Sequence, residues 1–125
     1  MAESFNTSAP IYLQLCERIK NKIIRGEISS GERLPSVRDL AIDSGVNPNT
    51  VQRTYRELED TGVVEKRRGQ GTFVTDDQEI LQQMRDELKE KHISGFVREM
   101  NEMGYTKAEM LEGLQAYFVK KEEKQ

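Results

Sequence analysis

Between residues 47 and 53 the chain reads NPNTVQR, and this short run has chemistry to offer. Asn47 can cap a helix, and Pro48 suits a first helical position because its missing N–H has no partner to lose there. A helix from Pro48 to about Asp60 then places Tyr55 and Leu58 within about 40° of Val51 on a helical wheel. Thr54 borders that apolar side. Asn49, Arg53, Arg56 and Asp60 fall opposite, and Thr50 and Gln52 lie on the two flanks. The N-terminal half of the exposed face therefore carries amides, a hydroxyl and guanidinium groups. Asn and Gln can pair with the adenine edge, Arg with guanine, and Thr with a phosphate oxygen. Glu57, Glu59 and Asp60 sit at the C-terminal end, where the helix dipole disfavours them and where they would point away from an anionic partner.

The flanking residues must hold such a helix in place. Ser36 is an N-cap candidate with Asp39 three residues on, and Val37, Leu40 and Ala41 share one face. Gly45 supplies a left-handed stop. Residues 37–60 thus read as helix, tight turn, helix. The segment VVEKRRGQGTFVT follows, with β-prone stretches at Val63–Lys66 and Thr72–Thr75 around a glycine-bearing tip. Lys66, Arg67 and Arg68 put positive charge beside that tip, where it could reach a phosphate backbone or a minor groove.

Upstream, a helix is predicted from near Ser8, with Pro10 in its first turn and Ile11, Leu15, Ile19 and Ile23 repeating every four residues. Tyr12 and Ile24 widen that apolar stripe, and Cys16 borders it as a small core residue. Gly26 ends the helix, and GEISSGERL reads as a loop. Residues 1–8 read as extended. Downstream, Asp76 and Asp77 open a long helical stretch carrying Leu81, Met84 and Leu88, continued by Phe96, Val97, Met100 and Met103. Ser94-Gly95 is its weak point, a candidate kink or break. Gly104 closes it. TKAE at 106–109 is a second capping box, followed by a stripe of Met110, Leu111, Leu114, Tyr117 and Phe118, and the KKEEKQ tail reads as solvated and frayed.

The 125 residues suit one modest domain or two small ones, and 35% hydrophobic against 33% charged residues leaves a thin core. The net charge is −3, but unevenly spread: residues 1–75 carry 11 Lys+Arg and 10 Asp+Glu, residues 76–125 carry 8 and 12. That split fits two parts with different work. One cysteine and one histidine, Cys16 and His92, allow neither an internal disulfide nor a Cys/His metal cluster, and no cofactor is expected. No apolar run is long enough to span a membrane, and the N-terminus lacks the pattern of a secretory signal. A soluble cytoplasmic protein is the expectation. No nucleophile–base pattern or phosphate loop is present, and GQG is too short to be one, so no enzyme is expected.

The string GERLPSVRDLAIDSGVNPNTVQRTYRELEDTGVVEKRRGQGTFV resembles the winged helix-turn-helix of GntR-type transcription regulators. The LPSxRxLA and GQGTFV elements at this spacing carry the likeness, and PIYLQL at 10–15 extends it to the first helix, over about residues 9–75. The short helical remainder resembles the YtrA-type subfamily, whose C-terminal part is a small dimerising helix pair. The resemblance implies a mainly α fold with a small β-hairpin: a winged helix-turn-helix domain (1–75) followed by a C-terminal helical hairpin for dimerisation (76–125). It implies a homodimeric, sequence-specific binder of double-stranded DNA, usually a repressor, on a palindromic operator. Carried over by position, Ser36 (chiefly a cap), Arg38, Asn47, Asn49, Thr50, Gln52 and Arg53 would meet DNA from the two helices, and Arg67, Arg68, Gly69 and Gln70 from the wing. Pro48 stands where some branches carry a basic residue, so their base preference does not transfer. Tyr55 is assigned to the core, although its hydroxyl could emerge toward a phosphate.

The dimer contact is expected from Leu81, Met84, Leu88, Phe96, Met100, Leu111, Leu114 and Phe118, since two amphipathic helices of this size cannot bury their apolar faces alone. The Met-rich stripe of Met84, Met100, Met103 and Met110 reads as core or dimer seam rather than as an adaptable ligand site. His92, without a second ligand, reads as a surface or interface residue. A small-molecule effector is allowed, but no residue pattern marks a site for one. The alternative is a winged-helix protein-interaction module that does not bind DNA. The basic KRRGQG tip argues against it.

Overall fold

The computed structural model describes residues 4–123. Expectations for the extreme ends, residues 1–3 and 124–125, lie outside the described residues. In chain order the elements are α1 (Ile11–Ile24), α2 (Val37–Ser44), α3 (Pro48–Asp60), β1 (Val64–Arg67), β2 (Gly71–Val74), α4 (Gln78–Glu102) and α5 (Lys107–Glu123). The chain divides into two compact units, Met1–Arg85 and Asp86–Gln125. Among the described residues, five helices and one antiparallel hairpin make the mainly α, winged helix-turn-helix architecture that the resemblance implies.

The first unit is built on the apolar faces the periodicity marks. Leu15, Cys16, Ile19 and Ile23 of α1 are buried, as are Val51, Thr54, Tyr55 and Leu58 of α3, with Val51, Thr54 and Leu58 fully enclosed. Ile11 departs from the expected stripe: it stays 44% exposed. The helix starts later than Ser8, and Pro10 is its N-cap (φ −56, ψ 144) rather than a residue of its first turn. The preceding stretch is tied down: the Gln14 side-chain amide donates to the carbonyls of Asn6 (2.8 Å) and Ala9 (2.7 Å) and accepts from the Asn6 N–H.

Helix α2 is capped as expected, with the Asp39 N–H donating to Ser36 Oγ at 3.1 Å. It ends at Gly45 in the left-handed region (φ +68), a conformation in which a Cβ would crowd the backbone. Two residues later Asn47 caps α3, its Oδ1 accepting from the Asn49 N–H at 2.8 Å, with Pro48 in the first turn. Helix, tight turn and helix thus follow from local signals at Ser36, Gly45, Asn47 and Pro48.

The hairpin pairs Val64 with Val74 and Arg67 with Gly71, one residue later at its start and one earlier at its end than the β-prone runs suggest. A third stretch joins it. Residues 31–34 lie along β2: the Leu34 N–H donates to the Thr72 carbonyl (2.8 Å), the Gly31 N–H to the Val74 carbonyl (2.9 Å), and the Val74 N–H to the Glu32 carbonyl (2.9 Å). Arg33 bridges to Phe73. What reads locally as a loop is therefore a third, short pairing that anchors the wing. Its partner is some forty residues away, so no local pattern announces it.

Asp77 opens α4, its Oδ1 accepting from the N–H of Glu79 (3.0 Å) and of Ile80 (3.4 Å). The expected weak point at Ser94-Gly95 does not break the helix, which runs without interruption to Glu102. Gly104 (φ +90) follows its end. The TKAE box closes in both directions: the Glu109 N–H donates to Thr106 Oγ1 (3.2 Å) and the Thr106 N–H to Glu109 Oε1 (3.0 Å). Helix α5 continues to Glu123, so Lys120–Glu123, read as a frayed tail, are helical. Among the described residues no helix is long and apolar enough to cross a membrane.

Candidate nucleic-acid interface

Helix α3 packs on α1, α2 and β1. Burying Val51, Thr54, Tyr55 and Leu58 forces Asn49, Gln52, Arg53 and Arg56 outward, and all four are exposed, while Thr50 is half-buried. Asn49 keeps its side-chain amide outside although its backbone N–H is taken by Asn47. Thr50 donates its own N–H to the Asn47 carbonyl (2.9 Å), which fixes the first turn. Asn47 and Ser36 both spend an acceptor on a helix cap, so their first role is to hold the helix starts. Arg38 is exposed in the first turn of α2.

The seat of α3 is polar at two buried points. Thr54 Oγ1 lies 2.9 Å from the Thr50 carbonyl and 3.2 Å from the Tyr12 carbonyl, which ties α3 to the first turn of α1. Tyr55, 7% exposed, donates its hydroxyl to the Pro35 carbonyl at 2.7 Å. The phenol is therefore spent inside, steadying the residue before the Ser36 cap, and does not emerge toward a phosphate. Burial pushes the Tyr55 pKa well above that of a free phenol. Burial likewise raises the Cys16 thiol to about 11, so at neutral pH it is a protonated core residue.

Arg53 does not wave freely. Its guanidinium lies 3.9 Å from the centroid of the Tyr12 ring, a cation–π contact of about 0.5–1 kcal/mol at an exposed site. Sequence reasoning took Tyr12 as widening the apolar stripe of α1. Only the packing of α1 on α3 brings it to Arg53.

At the wing, Arg68, Gly69 and Gln70 form the turn between Arg67 and Gly71, closed by the Gln70 N–H donating to the Arg67 carbonyl at 2.9 Å. All three are exposed. Arg67 differs from Arg68. Its guanidinium lies 4.1 Å from the Phe73 centroid, with Nη2 3.4 Å from Glu65 Oε1 and 3.8 Å from Asp76 Oδ2. Arg67 is thus held along the hairpin, while Arg68 stands at its tip. Arg33, which sequence reasoning passed over, joins this cationic edge. A Cβ at Gly71 (φ +121) would stand 2.9 Å from Arg33 Nε, so the glycine lets the arginine lie beside the last pair before the turn of the wing.

The residues expected at a dimer contact fall into two groups. Leu81 and Met84 are already buried within the first unit, where they border a shallow cleft with Ile23, Ile24 and Ile28. They are core residues of the single chain. Leu88, Phe96 and Met100 are half-buried. Leu111, Leu114 and Phe118 are exposed at 55%, 38% and 60%, and Ile93, Val97, Tyr117 and Val119 add to the uncovered apolar surface of the second unit.

Residues 11–74, just over half of the chain, match the family model described as bacterial regulatory proteins of the gntR family. The chain belongs to the GntR family. It is 49% identical over 117 residues to the HTH-type transcriptional regulator YhcF of Bacillus subtilis (strain 168), an alignment covering 94% of this chain and 97% of that one. Over 70 residues it is 43% identical to the HTH-type transcriptional repressor YtrA of the same organism, covering 56% of this chain and 54% of that relative. Among solved structures, a GntR family transcriptional regulator from Listeria monocytogenes superposes with a TM-score of 0.84 at 34% identity, covering 90% of this chain and 98% of that one. The DNA-binding domain of AraR in complex with operator ORX1 superposes with a TM-score of 0.54 at 25% identity, covering 60% of this chain and 95% of that one. The GntR resemblance read from LPSxRxLA and GQGTFV is met, and with it the identity of the chain as a transcription regulator and not an enzyme.

Proposed function

We propose that this GntR-family regulator acts as a homodimer on a palindromic operator in double-stranded DNA, in the cytoplasm, and represses transcription there. Residues 1–75 hold the DNA and residues 76–125 make the dimer contact. The observation that carries the reading is the exposed N-terminal half of α3, where Asn49, Gln52 and Arg53 stand outside a fully enclosed Val51–Thr54–Leu58 seat. Asn49, Gln52 and Arg53 read base edges in the major groove, and Thr50 meets the flanking phosphate. Arg38, from α2, and Arg68, with Gly69 and Gln70 at the wing tip, hold the backbone on either side. Arg67 adds charge from the side of the wing. Ser36 and Asn47 contribute by fixing the helix starts. The role of the relative YtrA as a repressor and the operator complex of AraR support the direction of this reading.

The uncovered apolar residues Leu111, Leu114, Tyr117, Phe118 and Val119 support a symmetric contact through α5, since a patch of that kind on a regulator of this size is best covered by a twin. Two copies would present two α3 helices to half-sites about one helical turn, roughly 34 Å, apart. The test is a titration of the full chain and of Arg53→Ala and Arg38→Ala against duplexes from the gene's own upstream region and against random duplexes. Arg53→Ala is expected to lower discrimination between them and Arg38→Ala to weaken both. If neither substitution changes binding to any duplex, the assignment fails.

A further inference from the structure

We infer that Tyr12 is a positioning residue for sequence discrimination, acting by holding the Arg53 guanidinium flat on its ring so that the hydrogen-bonding edges face the DNA. The inference rests on the reading of Arg53 as a base contact. The geometry behind it lies in three links. The Arg53 guanidinium stands 3.9 Å from the Tyr12 ring centroid. The Tyr12 carbonyl lies 3.2 Å from the hydroxyl of Thr54, the residue next to Arg53 on α3. Thr54 is fully enclosed, and its hydroxyl also lies 2.9 Å from the Thr50 carbonyl one turn back. Ring and guanidinium are therefore held to one frame, set by the packing of α1 on α3.

Stacking uses the face of a guanidinium and leaves its edge free. The five N–H donors of arginine lie in the plane of the group, and a bidentate pair with guanine O6 and N7 is made by that edge. An arginine stacked on a fixed ring meets a base without first giving up the rotamer freedom of a long side chain. A lysine, or an arginine with no ring behind it, lacks that advantage. Contacts to phosphate do not depend on the plane of the cation in this way, so Tyr12 should matter for discrimination and little for sequence-independent binding.

The test uses the full chain and four variants: Tyr12→Phe, Tyr12→Leu, Arg53→Ala and Tyr12→Leu/Arg53→Ala. Each is titrated against the upstream-region duplex and a random duplex at one salt concentration, with melting curves alongside. Tyr12→Leu is expected to lower the affinity ratio about four- to twenty-five-fold in a dimer, two ring contacts each contributing about two- to five-fold. Tyr12→Phe keeps the ring and should stay within about two-fold of the parent. In the Arg53→Ala background the change Tyr12→Leu should no longer alter the ratio. A Tyr12→Leu effect that persists in that background overturns the inference, as does a Tyr12→Leu ratio equal to or above the parent's. If Arg53→Ala lowers the ratio while Tyr12→Leu does not, the base-contact reading stands and only the positioning role falls. If Arg53→Ala leaves the ratio unchanged, the base-contact reading fails and the inference falls with it. Should Tyr12→Leu fail to fold, the Arg53 Nε–H resonance of the parent decides. A ring-current shift kept in the operator complex supports the stack, and its loss on binding overturns it.

Discussion

Arg68→Ala separates the wing from the rest of the interface most cleanly. The side chain is exposed at the first position of a three-residue turn, and no hydrogen bond or ion pair of the hairpin runs through it, so the fold should be untouched. In a dimer the substitution removes two cations. Each phosphate neutralised by a protein cation contributes about 0.9 to the slope of log K against log salt, so the slope should become shallower by about 1.8. Near physiological salt the affinity for every duplex should fall by about ten- to a hundred-fold, with the ratio of operator to random affinity nearly unchanged. Fluorescence anisotropy with both duplexes from about 50 to 300 mM salt measures slope and ratio together. Arg67→Ala makes the internal control. Its guanidinium is already engaged by Phe73, Glu65 and Asp76, so its removal should change the slope by less than Arg68→Ala does. An unchanged slope for Arg68→Ala, or a slope change larger for Arg67→Ala, would refute the assignment of the tip residue to the backbone contact.

The remaining predictions concern the seat of α3, the core thiol and the second unit. Tyr55→Phe loses the bond to the Pro35 carbonyl and should cost about 1 kcal/mol, a fall in Tm of roughly 3–5 °C at pH 7; an unchanged Tm would show that the phenol does not hold α2. Cys16 and Tyr55 both keep their protons longer folded than unfolded, so the unfolded chain ionises first and stability should fall as pH rises from about 9 through 11. Urea denaturation across that range measures it, and Cys16 should resist alkylation at pH 8 until the chain is unfolded. Phe118→Asp places a charge on an exposed apolar face, leaving the fold intact but raising the dimer dissociation constant by about a hundred-fold or more, read by sedimentation.

The legible parts of the molecule were those set by local chemistry. Ser36, Gly45, Asn47 and Pro48 act within a few residues of themselves, so the helix-turn-helix could be read with its boundaries. The wheel of α3 was legible because one buried face dictates one exposed face. The pairing of residues 31–34 with β2 was not, since its hydrogen bonds join segments some forty residues apart and GEISSGERL carries no strand alternation. Tyr12 and Arg53 are likewise brought together only by the packing of α1 on α3. Met84 and Leu81 shared a periodicity with the residues beyond Arg85, and period alone does not tell a chain's own core from a surface left for a twin. Tyr55 read correctly as core, but the acceptor for its hydroxyl was set by the path of the chain through Pro35.

The central claim is that α3 reads sequence. The most direct measurement is the affinity of the unmodified chain for a duplex from its own upstream region against a scrambled duplex of the same length and composition, at one salt concentration near 150 mM. The account predicts that the upstream duplex binds about a thousand-fold tighter or more, and that Arg53→Ala brings the two affinities closer together. Equal affinities for the two duplexes, unchanged by Arg53→Ala, would contradict it.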